Sequence, residues 1–575
     1  MKEMKNVVGP IIVTKDIKDT EIYVGGYLQD YPVVYIYYNK VKDKYDVYIG
    51  ETIDFIRRDK QHQKESIFHD LKQVYIILNK YFNKSLTEDI ENKLILYLSS
   101  ANNINYVYNK RTNPQKEYYS SEKLDEVFKQ IWDELHKKDN KIFINKREIE
   151  NSILFKASPF HKLNTEQLKA KELIMDKINS KLSKDTINKK EKNVIWVNGG
   201  AGTGKSVLLS NLFYDLLNRK KNRKSAIVVN HDEQFTAYTD IANKLKLKGD
   251  ESNKLVYKST TFINEVANSD EIFDVVLIDE GHLLWTKKTQ KFTDKNNDYE
   301  VEGPIPQLSI IAKHAKVVVY IFDQKQIVRS NQYVDSKIIN EKIEEAKKEN
   351  RYISFEKQMR INADKKTIDW IDSFTKKQII KKIPKDSKKY EIKIFENPKD
   401  LYEAIKEKNE QMDEEKKKQG LCRLVATYDW KYVKNNDKKD LYYVDINYID
   451  KKGKKEKFKK LWNWETKKLE PHKRTNNSTW AELEFTIDEV GSIYTVQGSD
   501  LNYVGVILGK SVTYKDGKIE FNPEFNKNKD VYGSLERQKE LVANEVSVLL
   551  TRGYRGLYIY AEDEALRNAL LEKQI

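Results

Sequence analysis

The sequence predicts an α/β protein in which a small α+β unit precedes two parallel α/β domains. Three observations predict it. Two strand-like runs near the N-terminus flank a polar turn and lead into amphipathic helices. From about residue 156, apolar strands alternate with helices. A second alternating segment then runs to the C-terminus. Strand–helix alternation returns each strand in the same direction, so it builds a parallel sheet with helices on its faces. The 575 residues allow three or four separate cores. A hydrophobic content of 39% places the chain among folded proteins.

The elements follow in order. Val33-Val34-Tyr35-Ile36-Tyr37 and Tyr45-Asp46-Val47-Tyr48-Ile49 read as a β-hairpin across the polar turn Asn39 to Lys44. Helices are expected around Phe55 to Gln63 and from Asp89 to Ser99, and this unit ends near residue 118. Residues 121–138 place Leu124, Val127, Phe128, Ile131, Trp132 and Leu135 on one helical face. The polar, basic Lys137 to Asn145 reads as a connector. Strands come next at Val194–Asn198, Ser225–Asn230, Asp274–Asp279 and Lys316–Phe322, and a Lys-rich stretch spans about 376–392. The last segment offers strands at Arg423–Ala426, Val504–Leu508 and Gly556–Tyr560. Within it, residues 431–475 form a basic insertion with Tyr442, Tyr443, Tyr448, Phe458, Trp462 and Trp464. That mixture suits a single-strand stacking surface or a hairpin with a few core aromatics. The expected domains are 1–118, a helical connector 119–155, 156–350 and 351–575.

Composition narrows the partners. The formal net charge is +15 with 34% charged residues, which favours nucleic acid, an anionic membrane surface or a lysine-rich solvated face. Cys422 is the single cysteine, so neither an intrachain disulfide nor a cysteine-based zinc site can form. No run of 18 apolar residues is present. The apolar Val7 to Val13 is interrupted by Pro10, too short for a secretory signal. A reducing cytoplasm is the expected location, with no membrane partner.

Gly199-Gly200-Ala201-Gly202-Thr203-Gly204-Lys205-Ser206 follows an apolar strand and precedes a helical run. This is the phosphate-loop pattern in its required context. Glycines let backbone N–H groups face phosphate oxygens, and the helix N-terminus adds a favourable dipole. Lys205 is expected on the β/γ-phosphates of ATP and the Ser206 hydroxyl on Mg²⁺. The strand Val275–Ile278 ends in Asp279 and Glu280. Asp279 is expected to hold Mg²⁺ through water, and Glu280 to polarise the attacking water.

This set resembles superfamily 1 helicases, and most closely a bacterial helicase-like group related to the helicase part of Schlafen proteins, over about residues 156–575. The resemblance implies two RecA-like domains and further roles. Leu163-Asn164-Thr165-Glu166-Gln167 looks like the adenine-reading motif, with Gln167 as reader. Phe322-Asp323-Gln324-Lys325-Gln326 looks like the third motif, with Phe322 in place of the usual glycine and Gln326 sensing the γ-phosphate. Gln358-Met359-Arg360 and Leu550-Thr551-Arg552-Gly553 look like the fourth and sixth motifs, which makes Arg360 and Arg552 arginine fingers. Tyr494-Thr495-Val496-Gln497-Gly498-Ser499-Asp500 looks like the fifth. Gly199, Gly202, Thr203 and Gly204 complete the expected nucleotide cradle. Two lobes are needed, because one holds the phosphates while the other delivers guanidinium charge, worth roughly 10³–10⁵ in rate.

Residues 30–112 resemble the GIY-YIG nuclease family. Tyr48-Ile49-Gly50 matches the second signature, and Val33-Val34-Tyr35 keeps the tyrosine of the first but not its glycine. Arg58, His62, Glu91 and a late asparagine, Asn109 or Asn105, follow in order. The resemblance implies phosphodiester hydrolysis. Glu91 would hold one Mg²⁺, and Arg58 would stabilise the phosphorane charge. Tyr35 or Tyr48, with His62, would position or deprotonate water. The alternatives are strand tyrosines with surface charges, or a nuclease fold that binds without cutting. The function expected is an ATP-dependent nucleic-acid translocase coupled to a metal-dependent endonuclease, with ATP and Mg²⁺ as cofactors. Its alternative is an ATP-switched nucleic-acid-binding protein. DNA is expected before RNA, and homo-oligomer or protein partners are open. Such a fusion resembles bacterial proteins of defence against foreign DNA or of DNA repair.

Overall fold

The N-terminal hairpin is longer than its apolar runs. In a computed structural model, Val33–Val41 pairs with Lys44–Thr52 across a tight turn that sets Lys42 at φ 56°. The structure describes all residues except 1–6, 13–25, 110–117, 120, 184–191, 201, 220–222, 248–253, 267–270, 287–302, 324–325, 356–360, 413–418, 434–440, 451, 464–478, 497–500 and 575. The chain divides into two units. One holds residues 1–171, 206–227 and 234–257; the other holds 172–205, 228–233 and 258–575.

In the first unit, a five-stranded sheet runs in the order Val7–Ile12, Gln73–Ile77, Val33–Val41, Lys44–Thr52, Ile104–Val107. The apolar run at the start of the chain is therefore an edge strand. Its register breaks between Val8 and Ile11, where Pro10 cannot donate to a ladder, the usual place for proline in a sheet. Both faces of strand Val33–Val41 are buried over its first six residues. Tyr35 and Tyr37 pack on Phe55 of helix Phe55–His62. The helix expected at Asp89 to Ser99 spans Lys84–Ser100, started by Asn83, whose side chain accepts the Leu86 N–H.

Helix Leu124–Lys138 buries Val127, Phe128, Ile131, Trp132 and Leu135 of the predicted stripe, while Leu124 at its start is half-buried. Tyr97 of the preceding long helix lies 4.8 Å from Phe128 and 5.1 Å from Trp132, ring centre to ring centre. The segment read as a polar connector after residue 137 carries Ile142 and Phe143, both fully buried. Phe143 packs against Tyr75 and Trp132. Two apolar residues in a basic stretch thus pin it to the N-terminal sheet.

In the second unit, strands Tyr352–Phe355, Val194–Gly199, Ala315–Phe322 and Phe273–Ile278 lie side by side, all parallel. A seven-stranded sheet follows in the order Glu391–Ile394, Gly553–Ala561, Leu501–Leu508, Cys422–Ala426, Glu489–Gly491, Lys455–Trp462, Tyr443–Ile449. Its neighbours pair in parallel except the last two, which form an antiparallel hairpin. That hairpin is the basic insertion. Val444, Ile446, Phe458 and Trp462 face the core, so Phe458 and Trp462 serve packing and are not available to stack on bases; Trp464 lies outside the described residues. Among the described residues, no helix is long and apolar enough to cross a membrane.

Candidate functional site

The phosphate loop leaves the buried strand Val194–Gly199 and ends where helix Lys205–Arg219 begins. Gly199 has no room for a side chain: a Cβ there would lie 2.8 Å from Phe355 and 2.9 Å from Lys205 and Thr203. Gly202 and Gly204 take φ of 75° and 78°, the left-handed region open to glycine. Thr203 Oγ1 donates to Gly200 O at 3.0 Å. The Lys205 ammonium is buried and donates to Gly199 O at 2.9 Å and Gly200 O at 3.2 Å. It also lies 3.7 Å from Asp323 Oδ2. Ser206 stands in the first helical turn, with its carbonyl accepting from Tyr238 and Ser210.

The carboxylate turn is equally constrained. Asp279 is fully buried; its N–H donates to Val228 O at 2.9 Å, and its Oδ1 accepts the Glu280 N–H at 2.9 Å. Glu280 adopts φ 48°. Gly281 allows the turn to meet the Tyr320 ring, which a Cβ would approach to 2.3 Å. His282 Nε2 is 3.4 Å from Glu280 Oε2, and His282 Nδ1 accepts the Asp323 N–H at 3.3 Å. Gln326 Nε2 donates to Asp323 Oδ2 at 2.9 Å. Lys205, Glu280 and Gln326 are thus brought together around Asp323 and His282, two residues to which sequence reasoning assigned no role. Both stand inside motifs already singled out, and that was the available signal.

The other predicted motor residues stand as follows. Gln167 Oε1 accepts the Asn164 N–H at 3.0 Å while Asn164 Oδ1 accepts the Gln167 N–H at 2.9 Å. This reciprocal capping box starts helix Thr165–Leu182, so the residue assigned to read adenine also has a local structural task. Arg552 is buried between helix Leu535–Leu550 and strand Gly553–Ala561, and its carbonyl accepts the Leu501 N–H. Tyr494 of the fifth motif stacks under Arg329 at 4.4 Å. Arg360 and Gln497 to Asp500 lie outside the described residues.

A second cluster sits in the N-terminal sheet. Tyr35 Oη and His62 Nε2 share a hydrogen bond of 2.9 Å. The Arg58 guanidinium donates to Gln61 Oε1 at 3.1 Å and acts electrostatically on the Tyr35 and Tyr48 hydroxyls, as does the Glu91 carboxylate. Tyr35, Tyr48, Arg58 and His62 come from two strands and one short helix, and Glu91 from the long helix. Gly50 is required because the Tyr35 ring would meet a Cβ at 2.4 Å. Asn109 Oδ1 accepts the Ile49 N–H at 2.9 Å, and its Nδ2 donates to Ile49 O at 2.5 Å. Asn105 instead bonds Asp46 at the surface. Burial raises the Tyr35 and Tyr48 hydroxyls above the ordinary tyrosine range. Burial, helped by Arg58, lowers His62 to about 4. His62 is stacked on Phe68 at 3.8 Å, a contact not foreseen, as was the buried Tyr37–Asp59 hydrogen bond beside it. Among the described residues, no three His, Cys, Asp or Glu side chains group as a metal cage.

A family model described as Schlafen group 3, DNA/RNA helicase domain, matches residues 192–563. The chain belongs to that family. An uncharacterized protein of Saccharomyces cerevisiae is 32% identical over 451 residues, covering 71% of this chain and 90% of the yeast protein. Among solved structures, the PRRSV helicase matches at 10% identity and a TM-score of 0.27, covering 68% of this chain and 56% of that one. The Pif1 helicase from Candida albicans matches at 15% identity and a TM-score of 0.28, covering 71% and 97%. The Schlafen-family match spans both parallel sheets but not the N-terminal five-stranded one. Membership supports an ATPase of helicase type, working with ATP and a divalent metal.

Proposed function

We infer that this Schlafen-family chain is an ATP-driven nucleic-acid translocase coupled to a one-metal endonuclease in its N-terminal domain. The observation that carries the reading is two phosphate-directed clusters in one chain of net charge +15: Lys205 with Asp323, Gln326 and Glu280, and Tyr35 with His62, Arg58, Tyr48 and Glu91.

The residues present fit the expected groups. The Lys205 ammonium is already held over the loop where β/γ-phosphates would lie. Ser206 and the buried Asp279 would supply oxygen donors of the kind Mg²⁺ prefers, and Glu280, the residue after Asp279, would orient water. Arg552, with Arg360, would bring guanidinium charge from the second domain. In the N-terminal cluster, Glu91 would hold one Mg²⁺, which would polarise the scissile phosphate. A His62 lowered to about 4 is neutral at neutral pH, so it can take a proton from water directly or through Tyr35. Tyr35 itself, with its hydroxyl raised, positions rather than deprotonates. Arg58 faces the charge that develops on phosphorus.

DNA is the proposed substrate, with defence against foreign DNA or repair as the role. The second reading, an ATP-switched binder without cleavage, draws on Val33 standing where the nuclease family has glycine. The test is a cleavage and ATPase screen over single-stranded, double-stranded and branched DNA and RNA with Mg²⁺. Cleavage lost in Glu91→Ala but kept in the parent supports the nuclease. An ATPase-active parent that cuts nothing leaves the second reading.

A further inference from the structure

The Lys-rich stretch at about 376–392 has no part in either phosphate-directed cluster. Helix Lys365–Lys376 is followed there by an irregular strap that runs on to strand Glu391–Ile394. The strap is tied down through its backbone. The Trp370 indole N–H donates to Lys381 O at 2.8 Å. The Ile383 N–H donates to Lys573 O at 2.8 Å, and Gln378 O accepts the Ile519 N–H at 2.9 Å. Ile380 is buried, and Ile383 packs against the core around the seven-stranded sheet. With these residues turned inward, Lys377, Lys381, Lys382, Lys385, Lys388 and Lys389 are left exposed.

The carboxylates nearby are committed elsewhere. Between Lys377 and Lys389 the chain carries one, Asp386. Its Oδ1 accepts the Lys388 and Tyr390 N–H groups at 2.7 and 3.1 Å. Its Oδ2 accepts the Asp364 N–H and the Thr367 hydroxyl, both at 2.7 Å. Asp364 accepts the Thr367 and Ser387 N–H groups at 3.1 and 3.0 Å, and Asp372 pairs with Lys376. Among the described residues, no carboxylate pairs with any of the six exposed ammonium groups. Like charges held together in this way raise the local potential and attract a polyanion.

We propose that the strap is a contact surface for the phosphate backbone of duplex nucleic acid. Trp370 and Tyr390 are buried, so they offer no ring for stacking on unpaired bases. A duplex instead presents a dense row of phosphates that lysines can neutralise. Ile379 is the one large apolar side chain exposed on the strap, too little apolar surface to enter a bilayer. Contacts to phosphate position the duplex without reading its sequence. The inference rests on the reading that the chain acts on nucleic acid, and adds where the duplex lies.

The test is binding of the full chain to a labelled DNA duplex, and to one of its strands alone, across a salt series. Lys381→Gln/Lys382→Gln/Lys385→Gln removes three of the exposed charges, and the same three changed to Arg keep them. Lys337→Gln/Lys348→Gln/Lys399→Gln removes equal charge from exposed positions elsewhere. For the duplex, the slope of log K against log salt should flatten by about 2 to 3 in the strap Gln variant, at about 0.9 per lost contact. Its affinity near physiological salt should fall on the order of 100-fold. The Arg variant and the distant Gln variant should follow the parent, and the single strand should lose far less affinity than the duplex. Lys382→Gln and Lys385→Gln singly should each flatten the slope by about 1, which keeps the test open if the triple variant unfolds. The inference is overturned if the strap variants keep the parental duplex slope, if the distant variant flattens it equally, or if the single strand loses as much as the duplex. A parent that binds neither form would instead overturn the nucleic-acid reading itself.

Discussion

Asn109→Ala should loosen the second signature strand far more than Asn105→Ala. Ile49 pairs with Ile36 on one side of strand Lys44–Thr52. On the other side, the parallel partner strand reaches only to Val107 opposite Val47. The Tyr108 N–H still donates to Val47 O at 2.9 Å. Beyond that, the Asn109 carboxamide takes over as a substitute strand, accepting the Ile49 N–H at 2.9 Å and donating to its carbonyl at 2.5 Å. Ile49 is fully buried. Truncation leaves two buried backbone groups unpaired, at about 1–3 kcal/mol each; entry of water keeps the sum near the lower half, about 2–4 kcal/mol. At 1.4 kcal/mol per tenfold, local opening should rise about 30- to 1,000-fold. Hydrogen–deuterium exchange on a peptide covering residues 45–52 reads this directly. Asn105 bonds Asp46 at an exposed position, where removal costs about 0.5 kcal/mol or less. Equal exchange in N109A and the parent, or equal loosening in N105A, would refute the substitute-strand account. Because Ile49 sits between Tyr48 and Gly50, cleavage by the proposed nuclease site should fall in N109A before global unfolding does.

Lys205→Ala should abolish ATP hydrolysis while leaving nuclease chemistry on an open single strand intact, measured by phosphate release and gel cleavage in parallel. Glu91→Ala should do the reverse, since the two clusters share no side chain. Nucleic-acid binding should weaken linearly in log–log form as salt rises; a flat titration would argue against a phosphate-dominated interface. In the second domain, burial and the neighbouring Asp429 push the Glu545 carboxyl up to about 8 from 4.5. The folded state then holds a proton that the unfolded chain has released, so stability falls as pH rises between about 4.5 and 8. Glu545→Gln should flatten the thermal midpoint over that window and raise it at the alkaline end; a midpoint as steep as the parent's would place the titrating group elsewhere.

Much of the architecture was legible because its signals are local. The strands at Val194, Ser225, Phe273 and Ala315 begin within a residue of their apolar runs, since a buried parallel strand is a continuous apolar run. The edge strand Val7–Ile12 was not legible. Its pairing with Gln73–Ile77 depends on a distant partner, and Pro10 made it look like broken sequence. The basic insertion was ambiguous for a related reason. Alternation placed Val444, Ile446, Phe458 and Trp462 on one face of its two strands, but nothing local says whether that face meets solvent, bases or a core. Its attachment to strand Glu489–Gly491 decides it.

The sequence by itself determined the phosphate loop, the Asp279–Glu280 pair and the Tyr48-Ile49-Gly50 signature, because each depends on consecutive residues whose backbone freedom and side-chain chemistry can be read in place. Only the tertiary structure decided which distant groups complete them. It set Asp323 beside Lys205, His282 between Glu280 and Asp323, His62 on Tyr35 and Asn109 on Ile49. Those contacts follow from strand register and burial, which bring together residues far apart in the chain, and spacing along the chain carries no measure of either.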